Sequence, residues 1–431
     1  MRHMVTGSVA IAVAFCSFAA SATVIRVDCD GGGDYWTIQG AIDNASDGDT
    51  ILVAPGVYVG GWNHNIDTQG LALLIVSEEG PEATIIDGEN DYSGGFRFAN
   101  GEGPDTAVDG FTVTRANGLS GIRCQAGSSP TVKNCFITAC YSGTDGGGVR
   151  CKEGSSPTFQ DCVFSDNTTA GQGGAVDCWN SCNPVFERCI FEGNAAPSWA
   201  GAVCLKYYSA ALFVDCAFVG NTSYMSGGGV YCTRSSATFS GCVFSANEAT
   251  HGGGLRATDD SDLVIESCRF SDNYGSDEGG GLHCDYNSDL TITGSTFAAN
   301  ETPIYGAALF VGSNATVGMQ NSIIAFNIDG LTVWVDDDQM ICECTDMYGN
   351  EGGNWGLGLS GQYPGNGNLR ADPLFCMGSS TMPGDPYTLH SLSPCAPDNS
   401  SGCGLIGASP VGCGVTAVLR ETWGTIKAKY R

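Results

Sequence analysis

A glycine or alanine followed by an aliphatic residue recurs through the middle of the chain at a nearly constant interval, and few folds can accommodate that. The step occurs at Gly121-Ile122, Gly148-Val149, Ala175-Val176, Ala202-Val203, Gly229-Val230, Gly254-Leu255, Gly281-Leu282 and Ala308-Leu309, with spacings of 27, 27, 27, 27, 25, 27 and 27 residues. Units also carry a cysteine, an aromatic residue two positions on and an asparagine three beyond that. The series begins at Cys162, Phe164 and Asn167 and continues at Cys189 to Asn194, Cys216 to Asn221, Cys242 to Asn247 and Cys268 to Asn273. In the last units serine replaces cysteine, at Ser295 with Phe297 and Asn300 and at Ser322 with Ile324 and Asn327. Tandem units of this kind bury their apolar sides against one another, so the chain is a solenoid.

Two solenoids have periods near this one. The string Phe159-x-x-Cys162-x-Phe164-x-x-Asn167 fits a leucine-rich repeat, but that repeat closes its turn with helical structure. Here the return carries Gly146-Gly147-Gly148, Gly227-Gly228-Gly229, Gly252-Gly253-Gly254 and Gly279-Gly280-Gly281. Such a triplet inside a helix would cost about 3 kcal/mol. A parallel β-helix has no such difficulty, because a unit at about 3.3 Å per residue has a contour near ~90 Å, enough for three short strands and three corners. This reading points Val149 and Cys151 inward on the first strand, Phe159 on the second, and Cys162 and Phe164 on the third. Stacked in register, Asn167, Asn194, Asn221, Asn247, Asn273, Asn300 and Asn327 form one column at about 4.8 Å spacing, with amides able to bond one another. The Asn-x-Ser/Thr matches at Asn167, Asn221 and Asn300 are then poor glycosylation sites.

Composition fits a turn-dense β protein. Of 431 residues 63 are glycine, 42% are hydrophobic and 15% are charged, so the chain is neither disordered nor collagen-like. The net charge of −28 argues against nucleic acid or an anionic membrane surface as partner. Residues 1–22 read as a secretory signal: Arg2 and His3, an apolar run from Val9 to Ala20, and Ala20-Ser21-Ala22 as cleavage site. No later window is apolar enough to span a membrane, so the expected mature chain is exported, cut near Ala22, and extracellular, periplasmic or held at the cell surface by contacts. Removing Arg2 makes the charge −29, and removing Cys16 leaves 21 of the 22 cysteines, an odd number for which disulfides and at least one thiol are expected. The inward cysteines fall in two columns, Cys124, Cys151, Cys178, Cys232 and Cys284, and Cys135, Cys162, Cys189, Cys216, Cys242 and Cys268. Pairing within rungs, pairing between rungs and a column of packed thiols are all open.

Solenoid ends need caps. Thr37 to Ser46 places Ile38, Ile42 and Ala45 on one helical face and is assigned as the N-terminal cap. Runs at Thr50 to Val53, Leu71 to Val76, Ala83 to Ile86 and Phe111 to Val113 supply irregular first rungs. Beyond about residue 330 the period dissolves into loops with Cys342, Cys344, Cys376, Cys395, Cys403 and Cys413. The expected organisation is signal 1–22, cap and irregular rungs 23–117, regular repeats 118–330, a loop-rich disulfide-containing region 331–413, and a basic amphipathic tail 414–431. That tail places Leu419, Trp423 and Ile426 on one face and ends in Lys427, Lys429 and Arg431, reading as a segment that docks on the acidic body or as a sorting signal.

Gly33-Asp34-Tyr35 through Thr37-Ile38-Gln39, Gly48-Asp49-Thr50-Ile51, Pro55-Gly56-Val57-Tyr58 and Gly80-Pro81-Glu82-Ala83-Thr84-Ile85-Ile86-Asp87-Gly88 resemble the opening of right-handed parallel β-helix proteins of the pectin-lyase-like superfamily. The glycine-triplet rungs resemble bacterial secreted β-helix repeat proteins and, more distantly, polymorphic outer-membrane proteins. The strings Ala371-Asp372-Pro373-Leu374-Phe375-Cys376, Ser393-Pro394-Cys395 and Gly404-Leu405-Ile406-Gly407-Ala408 are similar to the ends of the secreted β-helix repeat proteins. The resemblance implies an all-β, right-handed parallel β-helix solenoid of about ten or eleven rungs, with a capping helix and a Cys-rich C-terminal wrap. It implies little about function, because that fold hosts lyases, hydrolases, esterases, epimerases and adhesins. The catalytic strings of pectin methylesterases, polygalacturonases and alginate epimerases are missing from this sequence.

The first strand's outward positions are the candidate site. With Val149 and Cys151 inward, the stacked outward residues read Arg123, Arg150, Asp177, Cys204, Tyr231, Arg256, His283 and Phe310, and beside them Gln125, Lys152, Trp179, Lys206, Thr233, Thr258, Asp285 and Gly312. Cations and aromatics are unexpected in such number on an acidic chain. Arg150, Lys152, Trp179, Lys206, Tyr231, Arg256 and His283 are therefore read as a face for an extended polysaccharide, with Trp199, Tyr207, Tyr208, Tyr224 and His251 in flanking turns. Ordinary solvated or loop-covered positions are the alternative. The leading expectation is a non-catalytic exported protein that binds polysaccharide or a surface protein and requires no cofactor. The alternative is a calcium-assisted lyase with Arg256 or His283 as base and Asp259, Asp260, Asp262 and Asp285 as calcium ligands. Asp336-Asp337-Asp338 reads as a charged loop, and His64, His251, His283 and His390 have no zinc-like spacing.

Overall fold

The computed structural model describes residues 22–336, 339–356, 358–376 and 385–413. The signal segment before Ala22, Asp337 and Asp338 of the acidic run, and the basic tail 414–431 lie outside the described residues. The chain winds as a parallel β-helix. Successive coils contribute strands to three sheets, illustrated by one coil: Val149–Lys152 in the third sheet, Thr158–Gln160 in the first, Val163–Ser165 in the second, then a short Thr168–Thr169 that rejoins the third. Neighbouring strands are parallel and in register, with Cys151 beside Cys178 and Phe159 beside Phe186.

The first sheet is 13 strands deep, more than the ten or eleven rungs expected. The excess lies at both ends. Val24–Val27 pairs with Thr50–Val53 before the repeat is recognisable, and Met340–Glu343 still pairs with Thr316–Gln320 after it has dissolved. The cap forms as only the five residues Ile38–Ile42, shorter than the expected Thr37 to Ser46, with the Thr37 hydroxyl accepting from the Gly40 N–H and Ile38, Ala41 and Ile42 buried over the first coils.

Inside, like stacks on like. Phe159, Phe186, Phe213 and Phe239 are stacked with ring centroids 5.2, 5.0 and 4.8 Å apart. A second stack runs from Phe164 through Phe191, Phe218, Phe244 and Phe270 to Phe297 at 4.5–4.8 Å. The asparagine column is fully buried. Asn221 shows its logic: one Nδ2 hydrogen goes back to the Phe191 carbonyl at 2.9 Å and the other forward to Asn247 Oδ1 at 2.9 Å, while its own Oδ1 accepts from both the N–H and Nδ2 of Asn194. Every donor and acceptor of the amide is used. The column also runs one coil further than the repeat suggested, with Asn327 Nδ2 donating to Asn350 Oδ1 at 2.8 Å.

The cysteine columns are packed thiols, one of the three arrangements left open. Disulfides join Cys344 to Cys403 and Cys376 to Cys413, and the other seventeen described cysteines are free. In the second column Cys189 donates to the Phe159 carbonyl at 3.5 Å and Cys242 to Phe213 at 3.5 Å, while the Cys242 N–H donates to Cys268 Sγ. A small X–H side chain is what this position needs, which explains Ser295, whose Oγ donates to the Thr293 carbonyl and accepts from the Cys268 N–H. The C-terminal wrap packs Phe375, Leu389, Cys395 and Ile406 against Ile323 and Ala325 on the outside of the second sheet.

The glycine triplets have two jobs. Gly146 has φ 66°, in the left-handed region, and a Cβ on Gly147 would lie 2.3 Å from the Thr168 carbonyl oxygen. The loop before each third-sheet strand thus stacks backbone directly on backbone. Asn221→Ala would leave the Phe191 carbonyl and two donors of Asn194 without partners, and should lower stability by about 3–6 kcal/mol; urea unfolding measures this.

Candidate functional site

The covering loops change what the outward face of the third sheet can do. Preceding each third-sheet strand, they fold back over its outer side, and Trp199, Ser226 and His251 form a bridge ladder of their own above it. Trp199 lies flat on Tyr231 with centroids 5.4 Å apart, and Tyr231 is 6% exposed. His283 is 1% exposed, Lys206 7%, and Arg150 and Arg256 are partly buried. Five of the seven residues expected to form an open face therefore sit largely or wholly under loops. The periodicity did not reveal the cover, because its residues differ from coil to coil.

What remains open is the corner where the third sheet turns into the first. Trp179 ends its strand 39% exposed, with Lys152 Nζ 5.8 Å from its ring centroid and Tyr207 edge-on at 6.5 Å. Arg234 lies over the other side, 6.0 Å from the Tyr207 ring. Tyr208 projects further and is 75% exposed. Among the described residues neither Lys152 nor Arg234 makes an ion pair. Beside them opens a depression of about 450 Å³ lined by Tyr208, Ser209, Arg234, Ser235, Ser236, Asp260 and Asp262.

The backbone at this corner is left-handed in coil after coil. Where Asn180 and Asn314 occupy such positions the residue suits the conformation, but Tyr207, Tyr208 and Arg234 stand at φ 53°, 68° and 48°. Bulky residues there cost roughly 1–2 kcal/mol each. The corners are tied by backbone bonds, Tyr208 N–H to the Arg234 carbonyl and Arg234 N–H to the Asp259 carbonyl, so their side chains stand one above another along the axis. Arg234 escaped the sequence reading because it follows the strand in the unit where the spacing falls to 25.

Under the loops lies a second, buried group. Arg256 donates to Asp285 Oδ2 at 2.7 Å and to Ser226 Oγ at 2.7 Å, and His283 Nε2 lies 3.1 Å from the same Asp285 oxygen. His251, on the loop ladder, is edge-on to His283 at 5.6 Å, with Asp277 3.5 Å from its Nε2. Burial pushes His283 down to about 4, against the pull of Asp285. Burial also works against the Asp285 charge, but the His283 hydrogen bond and Arg256 hold it below the usual carboxylate range. Glu278 is raised by burial and by Asp277.

The four calcium candidates are divided. Asp285 belongs to the buried group, Asp260 and Asp262 line the open depression, and Asp259 accepts from the Thr233 hydroxyl at 3.3 Å. Among the described residues no three His, Cys, Asp or Glu side chains gather as a metal site.

Comparison with known proteins matches residues 88–224 and 174–345 to the right handed beta helix region family. A search of curated proteins gives no match. Among solved structures, pectate lyase Pel9A superposes with TM-score 0.50 at 12% identity over 91% of this chain and 97% of that one. The catalytic domain of a GH87 alpha-1,3-glucanase, solved with nigerose, gives 0.38 at 12% identity over 78% and 66%. Pectin methylesterase from carrot gives 0.29 at 12% over 81% and 88%. At these identities the likeness is one of fold.

Titration of the buried group follows from its burial. His283 is protonated more readily in the unfolded chain, so it contributes stability that is complete above about pH 6.5 and lost as pH falls toward 4. Between pH 7 and pH 5 the wild type should lose about 2 kcal/mol relative to His283→Gln, which keeps a donor toward Asp285 but does not titrate. Urea unfolding of both at the two pH values measures the difference.

Proposed function

The chain belongs to the right-handed β-helix family, and on that premise we propose that it is an exported, non-catalytic protein that binds an extended polysaccharide along the corner between its third and first sheets. The observation that carries this reading is the exposed Trp179, Tyr207 and Tyr208 array, flanked by Lys152 and Arg234, which make no ion pair among the described residues. Flat rings supply stacking faces for sugar rings, and the two cations favour sugars that bear carboxylates. From Lys152 to Asp260 the array crosses four coil spacings, roughly 19 Å at about 4.8 Å each, a length suited to a chain ligand. Export is supported by the two disulfides of the C-terminal region and by the apolar start of the sequence. No helix among the described residues is long and apolar enough to cross a membrane.

Asp260 and Asp262, in the same depression as Arg234, favour one alternative, a calcium-assisted lyase. Two carboxylates supply too few oxygens for calcium, so uronate groups of the substrate would have to complete the shell.

Tyr208→Asn separates binding from stability. Asparagine suits the left-handed corner, so the variant should be as stable as the wild type or up to about 1 kcal/mol more stable, while its polysaccharide affinity should drop about tenfold, the equivalent of about 1.4 kcal/mol. A polysaccharide array read with and without calcium, for both retention and unsaturated-uronate product, tests the proposal. Retention without product supports it, product establishes the lyase, and Tyr208→Asn retention equal to wild type refutes the corner as the site.

A further inference from the structure

Lys206 does not join the open corner. Its side chain turns back beneath the covering loops, where Nζ lies 2.7 Å from Asp177 Oδ1 on the preceding coil, with the two side chains 9% and 1% exposed. Beyond this contact, neither Asp177 oxygen has a hydrogen-bond partner among the described residues, although both are buried. Nζ also donates to Gln172 Oε1 at 2.7 Å. A buried ion pair is retained where hydrogen bonds satisfy its remaining atoms, and this one leaves the carboxylate unsatisfied. Trp199, Ala200, Cys204 and Tyr231 form a small apolar cluster on the same outer side, with Cys204 in register beside Asp177.

We propose that Lys206 and Asp177 are a site of self-modification, at which the lysine amine and the aspartate carboxyl condense into an amide that covalently joins two adjacent coils. Proton transfer across the contact converts ammonium and carboxylate into amine and carboxylic acid. The amine lone pair attacks Asp177 Cγ, forming the C–N bond. The Cγ–OH bond breaks, and the hydroxyl leaves with a proton from nitrogen as one water. No oxidant, cofactor or second substrate enters.

The aspartate is set for its part, whereas the lysine, lowered by burial but raised further by Cys204 and Asp177, is held as the ammonium until the proton moves. Burial raises Asp177 to about 6, toward the acid form that reacts, against the opposing charge of Lys206. The Gln172 contact fixes the direction in which Nζ presents itself. Arg150 stands in register with Asp177 on the coil before, and its buried Nε–H has no acceptor among the described residues, so its charge lies beside the carboxyl that reacts. Contact held by the fold replaces the entropy cost of a bimolecular encounter. The product is also easier to bury than the reactants, because a neutral amide takes the place of two desolvated charges.

Peptide mapping of the folded, exported chain by mass spectrometry tests this. The expected result is one branched peptide joining Asp177 to Lys206, lighter than its two components by the mass of one water and uncut by trypsin at Lys206. Lys206→Arg keeps the charge and should lose the branch, whereas Asp177→Asn should form the same product with loss of ammonia. Separate, full-mass peptides containing Asp177 and Lys206 from the wild type would overturn the proposal and leave an ordinary buried ion pair.

Discussion

The asparagine column is the constraint on which the other features depend. Each amide is bonded to the coil before and the coil after, with no donor or acceptor to spare, so a slip of one residue would bury unsatisfied polar atoms in every coil it affected. Register is thereby fixed at one point of each turn. The unit shortened to 25 residues shows how length variation is absorbed. The asparagine spacing there changes only from 27 to 26, twice, and the missing residues come out of corner and loop rather than out of strands. Phenylalanine stacks and thiol columns follow, because in-register coils bring identical positions together at the spacing that stacked rings prefer.

The glycine triplets solve a different problem and in doing so create a second interior. Their lack of Cβ lets the loops pack backbone on backbone, and the stacked loops then lie over the outer side of the third sheet. Residues whose strand direction points them at solvent are shielded from it. Arg256, Asp285 and His283 are consequently held in mutual contact with little water, as are Asp177 and Lys206. Under such a cover charges either pair or lose their charge, and the raised Asp177 and the lowered His283 both lie there.

Much of this was legible in the sequence, and the boundary of legibility has a physical cause. The period, the inward set of Val149, Cys151, Phe159 and Phe164, the capping helix from Thr37 and the asparagine column all derive from repetition, which one sequence displays many times over. The first and last coils were undercounted because Val24–Val27 and Met340–Glu343 pair without repeating the motif. Alternation in and out was enough to place His283 and Tyr231 on the outer side, but alternation says nothing about what lies above. The cover is made by Trp199, Ser226 and His251, three residues with no common chemistry, joined by backbone alone. Tyr207 and Tyr208 were visible as aromatics in a turn; that they stand left-handed, beside Arg234, required the structure.

Charge sets the proposed binding corner apart from most of the arginine-bearing surface. With 46 acidic and 18 basic side chains, most arginines have carboxylates within reach, and Arg26, Arg97, Arg115, Arg188, Arg256 and Arg269 all pair with one. Lys152 and Arg234 are held over aromatic rings instead. A cation on a ring keeps much of its charge available, whereas a carboxylate partner cancels it. Beyond about 8–10 Å the field of the acidic body is screened at physiological salt, so an approaching anion meets the two cations locally before it meets the net charge. The same rings that hold the cations offer the apolar faces of a binding surface. On the proposed reading, the rings that would bind an external chain belong to the same residues that carry the left-handed strain, Tyr207 and Tyr208.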